Sequence, residues 1–162
     1  MLQTASEESK VLVVPALTGL GAPYWDANAR GAIFGLTRDT GKEDITKATL
    51  ESITYQSKDL VQSMKRDRAS FEKLMIDGGM VANDWFCQKL SNVLEVEVER
   101  PQIIETTSLG AAFLAGLASG FWKSTKDLEK LWKEDYSFEP NPDDNTKSII
   151  RLWENRVPRV LS

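Results

Sequence analysis

This sequence predicts an α/β fold with parallel strands flanked by helices, and three observations carry the prediction. Short β-branched, apolar runs alternate with longer stretches whose apolar residues recur close to helical spacing. Turn-forming clusters separate them, and no segment repeats. A length of 162 residues, 41% hydrophobic and 27% charged, suits one globular domain with a sizeable core rather than a disordered chain. Strands separated by helices imply a parallel core with helices on its faces.

The elements follow in order. Residues 1–10, MLQTASEESK, form a polar N-terminal tail, and the domain segment runs over 11–162. VLVVPAL (Val11–Leu17) and GAIFGLT (Gly31–Thr37) are strand candidates, joined by the turn-rich TGLGAPYWDANAR. From Asp44 to about Lys65, Ile45, Ala48, Ile53, Leu60 and Met64 mark one helical face, with Asp44 or Thr40 as cap. KLMI (Lys73–Ile76) reads as a buried strand, and Phe86, Leu90 and Leu94 mark a helix over about Asp84–Leu94. VEVER (Val96–Arg100) is the next strand, stopped by Pro101. TTSLGAAFLAGLASG (Thr106–Gly120) is small or apolar nearly all round, so a buried helix is expected there. An amphipathic helix around Lys126–Trp132, a strand YSFE, the loop PNPDDN and a helix over about Thr146–Val157 complete the chain.

Composition excludes several kinds of chemistry. Twenty Lys plus Arg against twenty-four Asp plus Glu give a net charge of -4, and KRDR (Lys65–Arg68) is the longest basic block, so no nucleic-acid partner is expected. The lone cysteine, Cys87, leaves no internal disulfide, and the chain has no histidine. The usual zinc ligand and the usual general base are therefore missing. MLQTASEESK lacks the apolar segment of a signal peptide, and Leu109–Ala118 is far shorter than the roughly 20 residues of a membrane span. No membrane association and a cytoplasmic setting are expected.

Two apparent phosphate motifs do not hold. GLTRDTGKE (Gly35–Glu43) approaches the phosphate loop G-x-x-x-x-G-K-[ST], but five residues separate its glycines and Glu43 stands where the magnesium-binding hydroxyl belongs. GLG (Gly19–Gly21) approaches a dinucleotide fingerprint, yet Pro23 and Trp25 follow and no helix does, so a structured turn is expected. Gly110, Ala111, Ala115 and Gly116 fit close packing of a helix on a sheet, and Trp85, Trp122, Trp132 and Trp153 fit burial against the core.

LMIDGGMVAN (Leu74–Asn83) is different. Two consecutive glycines after a strand cost backbone entropy without adding packing. Two readings stand. In one, a tight strand-to-helix turn uses one glycine for a positive φ and the other to relieve crowding. In the other, the C-terminal end of a strand faces a ligand crevice, and Gly78 and Gly79 let the main chain lie against a flat base or sugar. Asn83 adds an amide that both donates and accepts, and it can serve as a helix N-cap at the same time.

The segment from Val14 to Gln56, VPALTGLGAPYWDANARGAIFGLTRDTGKEDITKATLESITYQ, resembles the glycerol kinase family, and the chain from about Val11 onward is similar to roughly the last third of its members. TGLGAPYW is the sharper sign. Gly31, Ile33, Gly35, Leu36, Asp44, Ile45, Ala48 and Glu51 fit the broader carbohydrate kinase pattern, which also covers gluconate and xylulose kinases. The resemblance implies part of an actin-like ATPase (ribonuclease H-like) C-terminal domain. It implies ATP with Mg2+ as cofactor, and ATP/ADP and glycerol as partners. In that family DGGxxxN contacts adenosine, and Asp77, Gly78, Gly79 and Asn83 match it without substitution. Gly78, Gly79 and Asn83 are thus the expected ATP-binding residues.

The same resemblance places the phosphate loop, most glycerol contacts, the metal and the catalytic aspartate in segments preceding Val11. No catalytic residue is assigned in this chain, and Asp26, Asp39, Asp44 and Asp77 are not promoted to that role. The chain alone is expected to be inactive and, with core strands missing, to self-associate as a homo-oligomer. Segments of another carbohydrate kinase, or a non-catalytic nucleotide-binding or interaction module, are the alternatives.

Overall fold

The computed structural model describes residues 9–162. It divides into two compact units: one comprises the residues up to Ser70 with Asn92–Glu95 and Asn141–Ser162, the other Phe71–Ser91 with Val96–Pro140.

In the first unit, strands β1 (Leu12–Val14) and β2 (Ala32–Phe34) pair antiparallel, with Val13 opposite Ile33. Helix α1 spans Lys42–Arg66. Its N-cap is Gly41, whose N–H donates to Asp44 Oδ2 at 2.9 Å. Asp44 therefore caps from inside the first turn, where its charge also suits the helix dipole. The expected apolar face is only partly the buried one. Leu60 and Met64 are exposed, and the buried strip includes Glu51, Ser52, Thr54, Tyr55 and Asp59. The hydroxyls of Ser52 and Thr54 are satisfied locally, Ser52 Oγ donating to Thr49 O at 2.6 Å and Thr54 Oγ1 to Glu51 O at 2.7 Å. Burial then carries no orphaned hydroxyl.

Helix α5 spans Asp144–Arg156 and is capped by Asp143, which accepts from Thr146 N at 2.6 Å. Its Trp153 and Ile150 join Leu12, Val14 and Tyr55 in the core of the unit. Trp153 Nε1 donates to Asp59 Oδ2 at 2.7 Å, and Tyr24 Oη donates to the same oxygen at 2.8 Å. Burial pushes the Asp59 carboxyl up, against the lowering pull of these two bonds. Burial, followed by the bond to Asp59, pushes the Tyr24 phenol up as well.

The turn after β1 is structured, as its residues predict. Leu20 and Asp26 exchange backbone bonds at 2.8 and 2.9 Å, and Gly19 has φ +95° with a Cβ position 2.7 Å from Ala27 Cα. A side chain at position 19 would collide with that backbone.

The second unit holds a three-stranded sheet in the order β3 (Lys73–Met75), β4 (Glu97–Pro101), β5 (Glu134–Phe138). β3 and β4 are parallel with Lys73 opposite Glu97, while β4 and β5 are antiparallel. The sheet is therefore mixed, and the all-parallel expectation gives way at both antiparallel pairs. β3 lies at an edge with Met75 57% exposed, so it is not the buried strand expected. Helices α2 (Asp84–Leu94), α3 (Thr106–Ala118) and α4 (Thr125–Glu129) complete the order. Phe86, Cys87, Leu90, Val98 and Phe138 are buried.

The expected burial of α3 does not hold. None of its residues is buried among the described residues, and Leu114 is 70% exposed. Apolarity on every side predicts burial only where other elements surround the helix. Trp153 alone of the four helix-associated tryptophans is fully buried. Trp122 and Trp132 instead line a mainly apolar cavity of about 510 Å³ with Phe113 and Leu128. Gly116 permits the closest of these approaches, since its Cβ would lie 2.2 Å from Trp122 ring atoms.

Candidate functional site

The loop Asp77–Asn83 leaves the C-terminal end of β3 and enters α2. The parallel ladder runs one residue past the strand, Ile76 N donating to Glu99 O at 3.0 Å, and Gly78 N then donates to Ile104 O at 2.8 Å. Thr106 Oγ1, in the first turn of α3, donates to Asp77 Oδ2. These bonds fix where the loop begins.

Gly78 has φ +90° and ψ 169°, a region open essentially to glycine alone. It is the glycine the turn requires. Gly79 opens a 3₁₀ turn, Gly79–Ala82, and has no positive φ. It is exposed, and a Cβ built on it meets nothing within 4 Å. The crowding that a purely structural reading assigns to the second glycine is absent, so packing within the described residues gives no reason for a glycine at 79.

Asn83 has extended backbone, φ -95° and ψ 104°, and its N–H donates to Met80 O at 3.2 Å. Its side-chain Oδ1 accepts from Phe86 N at 3.4 Å, a long capping bond that leaves the amide N–H groups available. Gly78, Gly79 and Asn83 thus lie on one short turn, as their spacing suggests.

What sequence reasoning missed is the support beneath the turn. Arg100, near the end of β4, sends Nη1 to Val81 O at 2.8 Å and to Asp84 Oδ1 at 2.7 Å. Its Nε and Nη2 meet Asp135 Oδ2 at 2.9 and 2.8 Å. Val81 O also accepts from Cys87 Sγ at 3.2 Å, and burial pushes that thiol's pKa up. A neutral thiol suits a donor role here. No signal in VEVER pointed to Arg100, because its partners come from two segments distant in sequence, the Val81–Asp84 turn and Asp135.

Among the described residues no group of three or more Asp, Glu, His or Cys could hold a metal ion. Asp26 accepts from the N–H groups of Asn28, Ala29 and Ser162. Those bonds, with that from Ser162 first, hold its carboxyl below the usual range. Asp44 caps α1, and Asp77 is held by Thr106. No helix among the described residues is long and apolar enough to cross a membrane.

Residues 2–119 match the model of the FGGY family of carbohydrate kinases, C-terminal domain. The chain belongs to that family. Within this FGGY family the chain is 52% identical over 161 residues to a glycerol kinase of Marinomonas sp. (strain MWYL1), covering 99% of this chain and 33% of the relative. It is 55% identical over 161 residues to a glycerol kinase of Alteromonas mediterranea, again covering 99% and 33%. A crystal structure of Plasmodium falciparum glycerol kinase with ADP superposes at a TM-score of 0.81 with 34% identity, covering 99% of this chain and 33% of that one. The mixed α/β architecture is that of the actin and ribonuclease H-like ATPase superfamily to which FGGY kinases belong. The chain spans about a third of the length of the curated relatives it matches.

Proposed function

We propose that this FGGY chain forms the C-terminal, nucleotide-side part of an ATP:glycerol 3-phosphotransferase, which transfers the γ-phosphoryl group of ATP to glycerol to give sn-glycerol 3-phosphate and ADP. Gly78, Gly79 and Asn83 contact the adenosine portion of the nucleotide, and residues 11–162 act as one incomplete actin-like domain segment. The observation that carries this reading is Gly79: a bare, exposed backbone with no positive φ and no protein neighbour within 4 Å of a Cβ. A flat base or sugar lying on that backbone supplies the missing reason for a glycine. The glycerol kinases among the relatives support the choice of acceptor.

The chemistry divides accordingly. Phosphoryl transfer is catalysed mainly by positioning the phosphates and stabilising their charge. When bound, Mg2+ would supply charge neutralisation, and other parts of the kinase would hold it. This chain's residues bind and orient the nucleoside end. The acceptor hydroxyl loses its proton to a base elsewhere in the kinase; Asp26, Asp44 and Asp77 are each engaged in holding local structure. A cytoplasmic setting is part of the same proposal.

Asn83→Ala tests the reading in a full-length kinase polypeptide that carries this sequence. ADP binding should weaken by on the order of 1 kcal/mol while glycerol affinity is nearly kept. The long capping bond at 3.4 Å implies little loss of stability. Folded Asn83→Ala protein that binds ADP like the parent would remove Asn83 from the site.

A further inference from the structure

Arg100 is costly to keep largely buried, its side chain only 13% exposed. Its guanidinium spends Nη1 on two partners that flank one position. Val81 O precedes Asn83 by two residues and Asp84 Oδ1 follows it by one, at 2.8 and 2.7 Å. The other face of the fork engages Asp135 at 2.9 and 2.8 Å, and the guanidinium carbon sits 5.5 Å from the Phe138 ring centroid. β5 therefore anchors the guanidinium while Nη1 brackets the turn. Asn83's own cap is long, and the thiol of Cys87 is a weak donor to Val81 O. Neither fixes the turn by itself.

We propose that Arg100 is a positioning residue: by holding Val81 O and Asp84 together it sets the backbone of Gly79–Asn83 in the one arrangement that receives a nucleoside diphosphate. The ligand side of this statement rests on the function proposed above. The geometric side rests on Arg100 alone. Lysine cannot replace it, because an ammonium reaches as a point and cannot reproduce a planar fork that binds Asp135 along one edge and the turn along the other.

The test has two readouts, amide exchange in the 162-residue chain and nucleotide binding in a full-length kinase polypeptide that carries this sequence. Amide hydrogen exchange is followed at Val81 and Asn83, whose N–H groups bond Gly78 O and Met80 O, and at Lys89 to Ser91 within α2 as the reference. Binding of MgADP is followed by amide chemical shifts. In Arg100→Lys, the Val81 and Asn83 amides should exchange roughly tenfold faster while α2 keeps its parent protection, and the MgADP Kd should rise by about the same factor. Should Arg100→Lys not fold, Asp84→Ala decides, because it removes one arm from a side chain that is 76% exposed. There the two turn amides should exchange about threefold faster against an unchanged α2. Turn protection that is unchanged, or that falls only in step with α2, overturns the proposal and leaves Arg100 as general support. A full-length parent kinase that binds no MgADP counts against the nucleotide reading, and the exchange comparison still decides the role of Arg100.

Discussion

The two adjacent glycines make opposite predictions, and the contrast between them is a sharp test of the candidate site. Gly78→Ala forces an L side chain into φ +90°, ψ 169°. Nothing lies within 4 Å of the new Cβ, so the cost is backbone strain alone, about 1–3 kcal/mol for such a region. Gly79→Ala carries no strain and no clash. It also removes unfolded-state freedom, a gain of about 0.4–1 kcal/mol that applies to both variants. Gly79→Ala should therefore match or exceed the parent, and Gly78→Ala should fall below Gly79→Ala by about 1–3 kcal/mol. Urea unfolding of each chain at constant m-value reads this difference directly.

Ligand binding should follow the other order of cause. Gly79→Val leaves the fold nearly intact and places a branched side chain where the base or sugar is proposed to lie, so the MgADP Kd should rise by roughly tenfold or more. Equal destabilisation by Gly78→Ala and Gly79→Ala would refute the division of roles argued from the backbone. A folded Gly79→Val protein with parent affinity would refute the ligand explanation for the second glycine.

Three further outcomes are expected. Gly116→Ala drives a Cβ to within 2.2 Å of Trp122 ring atoms, so it should displace that ring, shift tryptophan emission and destabilise by about 1–3 kcal/mol; an unchanged spectrum and melt would show that the contact relaxes freely. Asp59 has a raised native pKa, so its proton is held more tightly in the folded state; its stabilising share is full below the unfolded value of about 3.9 and is lost as pH rises through the native value. Asp59→Asn keeps an acceptor for Tyr24 and Trp153, so it should equal or exceed the parent at pH 7 and lose that advantage toward pH 4, and a loss above about 2 kcal/mol at pH 7 would show that the charge itself is needed. The isolated chain, with an open edge on β3 and an exposed apolar α3, should self-associate in sedimentation and form no ADP in a glycerol-dependent way; a compact monomer, or turnover above background, would count against these expectations.

The positions of the elements were legible because strands and helices differ in local composition. LVV, AIF and KLM sit inside the predicted runs, and α2 spans Asp84–Leu94 as predicted. Strand direction was not legible, since YSFE contains nothing that distinguishes a parallel from an antiparallel partner. Its pairing with β4 depends on Ser137 facing Glu99, a relation set by tertiary closure. The burial of α1 departs from its apolar spacing for a different reason. Hydroxyls that bond their own helix carbonyls become fit for an interior, so Ser52 and Thr54 are buried while Leu60 remains outside.

The turn itself was legible as a pattern, and its internal division of labour was not. In sequence Gly78 and Gly79 are the same letter, yet one is demanded by a backbone angle and the other is left without any demand from the described residues. That difference turns an ambiguous motif into a testable surface, because a glycine without an internal reason directs attention outward. Arg100 shows the converse. Its partners Val81, Asp84 and Asp135 lie 19, 16 and 35 positions away, so no local pattern could announce it. The positioning role follows from convergence alone: one nitrogen reaches both sides of Asn83, and a side chain tied to β5 carries it there. A turn built this way presents bare backbone at one end and the Asn83 amide at the other, which is the pair of contacts on which the proposed nucleoside site rests.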